Sequence, residues 1–128
     1  MFENKNHLIN EIVGILDIIE YKTDASFLYA ILERTLQKIP HHELEQFNHH
    51  LHHLESENTP HITSFQNDLS QTVMHRLQNL VYHTHIETDT LLDILEYYLS
   101  LLSMGEIKSI LHTCHCHVNY YNISLSPI

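Results

Sequence analysis

Glycine and proline are scarce in this chain, with two and three copies among 128 residues. That scarcity argues against a turn-rich β fold, whose corners need both residue types. Basic residues are few as well. Six Lys and Arg face sixteen Asp and Glu, and the formal net charge is −10 with His neutral. Nucleic acid would be repelled by such a chain, and no basic stretch offers a footprint for phosphates. An anionic membrane surface is disfavoured for the same reason. No uninterrupted apolar run is long enough to span a bilayer. The first residues include charged Glu3 and Lys5, so they do not read as a signal peptide. Only two cysteines occur, Cys114 and Cys116. Two positions apart on a helix, their side chains diverge, which argues against a disulfide between them. A cytoplasmic or otherwise reducing compartment is the expectation.

What the chain has is a helical pattern. The 43 % apolar content is ordinary for a folded domain, and the length fits one such domain. Leu8, Ile12, Ile15, Leu16 and Ile19 recur at helical spacing and predict a helix from about Lys5 to Tyr21. Ile9 and Val13 widen this stripe enough for two neighbours. Thr23 or Asp24 is placed to cap a second helix, which carries Leu28, Ile31, Leu32, Thr35 and Ile39. Pro40 breaks the pattern and suits the first turn of a third helix, to about Ser56. That helix has a narrow apolar face of Leu44, Phe47, Leu51 and Leu54 and should lie outermost.

Glu57 to Pro60 reads as a loop. Thr63 and Gln66 then have capping-box spacing for a fourth helix. It runs to about His83, with Phe65, Leu69, Val73, Leu77 and Leu80 inward. A fifth helix, started by Thr88 or Thr90, continues to about Leu102 and is apolar almost all round. Its polar stripe is only Asp93, Glu96, Ser100 and Ser103. Such a helix is either central or covered by a partner. Ser103 and Glu106 form a second capping box, opening a sixth helix to about Val118. The expected architecture is all-α, a compact bundle of five or six helices. It comprises one domain over residues 1–118 and a short tail over 119–128, docked through Tyr120 and Tyr121 or frayed.

Fourteen His residues are the compositional oddity. On the third helix His42, His49 and His53 project away from the apolar face. His49 and His53 are one turn apart, close enough for two imidazoles to share one ion. A second cluster runs from His112 to His117. The helical reading splits it, because Cys114 falls on the apolar stripe while His112 and Cys116 share the polar side. That pair could chelate a soft metal, with zinc or copper as the ion. A third stretch, His83 to Asp89, reads as a capped turn between helices, with acidic groups near a positive helix end.

Catalytic templates are absent. His42-Glu43 lacks the second His of H-E-x-x-H, and Cys114-His115-Cys116 has the wrong spacing for a deaminase. Neither a P-loop, a G-x-G-x-x-G nor a G-x-S-x-G occurs. The leading expectation is therefore a non-enzymatic protein-interaction module, such as an inhibitor, adaptor or chaperone-like regulator, needing no cofactor. Its partner would be another protein with a basic surface, or a second copy in a homodimer. The expected interface is the fifth helix, at Leu95, Tyr97, Leu99 and Leu102. The alternative is a transition-metal binder or sensor using His112 and Cys116, with His42, His49 and His53. A further alternative is a pH-responsive binder built on His41, His42, His49, His50, His52 and His53.

Overall fold

The computed structural model describes residues 4–55, 68–83 and 85–126. Among the described residues the chain is all-helical, with α1 (Lys5–Lys22), α2 (Ser26–Leu36), α3 (His41–Leu54), α4 (Leu69–Tyr82), α5 (Thr88–Leu99) and α6 (Met104–Tyr120). The Glu57–Pro60 loop, Phe65 and the Thr63–Gln66 capping box lie outside the described residues. Among those described, no helix is long and apolar enough to cross a membrane.

α1 is the hub. Its wide stripe of Leu8, Ile9, Ile12, Ile15, Leu16 and Ile19 is buried. It packs against α2, α5 and α6, three neighbours where the sequence led to two. The Asn4 side chain caps it by accepting from the Asn6 N–H at 2.9 Å. α2 is held by Asp24, whose Oδ1 accepts from the backbone N–H of Ser26 at 2.9 Å. It stops at Leu36, earlier than its apolar spacing predicts. Lys38 and Ile39 bond back three residues, to Thr35 and Leu36, in a tight turn before Pro40.

α3 lies on α4. Leu44 and Leu51 are buried, but Leu54 is half exposed, so the inner face is shorter than expected. Asp68 caps α4, accepting from the Gln71 N–H at 3.1 Å. α5 begins at Thr88 with Glu87 at the cap position and no side-chain cap bond, so Thr88 is not its cap. Ser103 does cap α6, its hydroxyl accepting from the Glu106 N–H at 3.3 Å.

α6 runs two residues past Val118 and closes in a Schellman motif. Asn122 takes a left-handed φ of 53°. The N–H groups of Ile123 and Asn122 return to the carbonyls of Val118 and Asn119. The residues after it dock through Ile123 and Leu125 rather than through the tyrosines. Tyr120 and Tyr121 point outward. Lys22 fastens this segment, its Nζ donating to the carbonyls of Ser124 and Ser126, each at 2.7 Å.

α5 is central. Leu91, Leu95 and Leu99 are fully buried, and Leu92, Tyr98 and Leu102 nearly so. Both α1 and α2 pack on it, which is why its sequence is apolar on more than one side. Leu95, Leu99 and Leu102, expected at an interface, are core residues of this fold. These three side chains are already covered within the chain, each worth about 1.5–3 kcal/mol of burial. Of the four expected interface residues only Tyr97 reaches the surface, about half exposed.

Candidate functional site

α1 and α5 run antiparallel along a shared seam. At one end Asn6 and Asn10 of α1 face Asp93, Glu96, Tyr97 and Ser100 across a cleft of about 500 Å³. At the other, Asp17, Glu20, Tyr21 and Lys22 of α1 meet Asp89 of α5 around a second cleft of about 420 Å³. Gly14 sits between the two sets on α1, and a side-chain carbon built there would touch nothing within 4 Å. The two clefts thus lie at opposite ends of the seam, with no side chain projecting from Gly14 between them. At 1.5 Å per residue, Asn6 to Tyr21 spans about 22 Å.

Five carboxylates line this groove: Asp17, Glu20, Asp89, Asp93 and Glu96. A lysine stands at each end and offsets part of this charge: Lys5 donates to the Ser100 carbonyl at 2.6 Å, and Lys22, which lines the second cleft, donates to the Ser124 and Ser126 carbonyls. Tyr21 is 83 % exposed and Tyr97 53 %, so each end offers an aromatic face beside acids. Carboxylates and aromatic rings together suit a cationic side chain, through charge and cation–π attraction. Part of this site is legible from spacing alone. Asp93, Glu96 and Ser100 form the polar stripe of α5, and Tyr97 was among the expected interface residues. Asn6, Asn10, Asp17, Glu20 and Tyr21 were missed; their signal was a polar row on α1 in register with that stripe.

The metal candidates form pairs. On α3 the Nε2 atoms of His49 and His53 lie 3.1 Å apart. On α6 the Cys116 Sγ lies 3.5 Å from His112 Nε2. His42 does not join its expected partners; its Nε2 is 4.0 Å from Glu43. Among the described residues, no group of three or more His, Cys, Asp or Glu is gathered to hold an ion. The two pairs also sit on different parts of the bundle, since α3 packs on α4 and α6 on α1.

Burial tunes two groups near the α6 pair. Cys114 is fully buried, and desolvation pushes its thiol from 9.0 up to about 12, against a smaller opposing pull from Arg34. It is a packing residue, not a nucleophile. His117 stacks on Phe27 with ring centroids 3.8 Å apart, and burial lowers its pKa.

These features define a class: a six-helix all-α bundle, counted over the described residues, with an acidic surface groove. No protein-family model, curated protein or solved structure matches the chain.

Proposed function

We propose that this protein is a non-enzymatic interaction module that receives a basic segment of another protein in its α1–α5 groove. The observation that carries the reading is the set of five carboxylates and two exposed tyrosines around two clefts on the α1–α5 seam. Interfaces are enriched in tyrosine, and complementary charge speeds encounter and fixes register. A length of about 22 Å matches four turns of a helix or a shorter extended peptide.

A second copy of this chain is the poorer occupant. Two such grooves would bring like charges together, which disfavours association. With Leu95, Leu99 and Leu102 inside, α5 has no apolar seam left to offer a twin. An inhibitor, adaptor or chaperone-like regulator would use the groove in this way.

Titration of ¹⁵N-labelled protein with a Lys- and Arg-rich peptide tests the reading. Amide shifts should concentrate at Asn6, Asn10, Asp17, Asp89, Asp93 and Tyr97, and should fade as salt is raised. Shifts scattered over α3 and α6, or none, would reject the groove as the docking site.

A further inference from the structure

We infer that His49 and His53 on α3 form a two-imidazole chelate for a late first-row divalent transition ion, copper(II) or zinc(II). This site lies outside the groove and does not depend on it. The two Nε2 atoms are 3.1 Å apart and the rings are nearly perpendicular, with centroids 4.6 Å apart. Two metal–nitrogen bonds of about 2.0–2.1 Å set their donors about 2.9 Å apart at a right angle, and about 3.3–3.4 Å at the tetrahedral angle. The observed separation falls between these limits. The spacing of the two nitrogens therefore suits either a square or a tetrahedral ion, once the rings turn so that both lone pairs converge on it. Both side chains stand on the exposed side of α3, so an ion reaches them without opening the bundle.

In the metal-free chain the same geometry is an N–H···N hydrogen bond, with one ring donating through Nε2 and the other accepting. On binding, each Nε2 lone pair fills an empty position on the ion. The donor ring moves its proton from Nε2 to Nδ1, so no proton is lost and nothing is oxidised. The remaining positions are left to water or to a donor from outside the chain. Imidazole ligands select copper, zinc and nickel over calcium and magnesium, and copper(II) binds tightest of the series.

The neighbouring acid is occupied. Glu45, one turn before His49, lies 2.5 Å from His41 Nε2. That leaves the two imidazoles as the chelating set.

The test is a calorimetric titration of tag-free protein with copper(II), and separately zinc(II), in a Cys116→Ser background that removes the α6 thiol. One ion per chain is expected at this site. His49→Ala and His53→Ala should each weaken binding roughly tenfold or more, since each removes one of two metal–nitrogen bonds. His50→Ala, beside the pair, should not. The ion should also raise the thermal midpoint of the parent but not of His53→Ala. Alanine favours an exposed helix, so these variants keep the fold. Equal affinity in His49→Ala, His53→Ala and parent, or no binding at all, would overturn the site.

Discussion

The Arg76 guanidinium of α4 lies 2.5 Å from the carboxylate of Glu55, just past the end of α3, with both side chains nearly enclosed. The contact joins residues 21 positions apart and pins the C-terminal end of α3 onto α4. Within the pair Arg76 Nε finds no acceptor among the described residues. A buried charge left without its partner costs far more than the pair contributes. Glu55→Ala should therefore destabilise the protein by about 3–5 kcal/mol, whereas replacing both residues by Met should be close to neutral or stabilising. Urea unfolding of Glu55→Ala and of the double Met variant checks this.

Leu95 supplies a second prediction. It is fully buried between helices. Leu95→Ala should cost about 2–5 kcal/mol, with an unchanged denaturant slope. Leu95→Asp should unfold the chain. A folded, monomeric Leu95→Asp protein would return that residue to the surface and contradict the central place given to α5.

The two cysteines should separate in reactivity. Both are free, Cys114 buried and Cys116 exposed. Iodoacetamide at pH 8 should modify Cys116 alone, and Cys114 only after denaturation, as mass spectrometry would show. Because the folded thiol of Cys114 titrates at about 12 against 9.0 when free, the fold favours its neutral form. That contribution is fully present below pH 9 and is lost as the pH rises through about 12. Cys114→Ala should flatten this alkaline loss while lowering stability at neutral pH.

His117 works in the opposite direction. Its pKa is lowered by burial, so the neutral ring is the one the fold prefers. Stability from it is present at neutral pH and is lost as the pH falls. Against Phe27 on one side and Tyr121 on the other, the ring has aromatic neighbours to lose. An NMR titration should find His117 protonating at lower pH than a free imidazole.

Legibility followed the range of the interaction. The apolar stripes of α1 and α6 and the Ser103–Glu106 spacing are local, and the structure has these helices close to where the spacing puts them. The ends of α2 and α5 were read three residues too far. Apolar Ile39 and Leu102 are buried from tight turns, and burial looks the same in sequence whether the backbone is α-helical or not. Helix 5 shows the ambiguity most sharply. Apolar residues all round fit both a central helix and a covered one, and only the packing of α1 and α2 decides between them. The one-turn contacts His49–His53 and His112–Cys116 were legible because a helix fixes them. Glu55–Arg76 was not, since isolated charges read as solvent-facing. The groove was half visible: the α5 stripe stood out, but its α1 wall depends on helix register that spacing alone does not supply.

The central claim is that the groove binds a basic segment through Asp93 and Glu96. Its most direct test is calorimetric binding of a Lys- and Arg-rich peptide to Asp93→Asn/Glu96→Gln, compared with Glu43→Gln/Glu45→Gln on α3, which removes the same charge elsewhere. The groove variant should bind about tenfold more weakly or worse, a loss of about 1.4 kcal/mol or more, while the α3 variant stays near the parent. Equal weakening in both would mean that the peptide reads only net charge, and would contradict a docking site between α1 and α5.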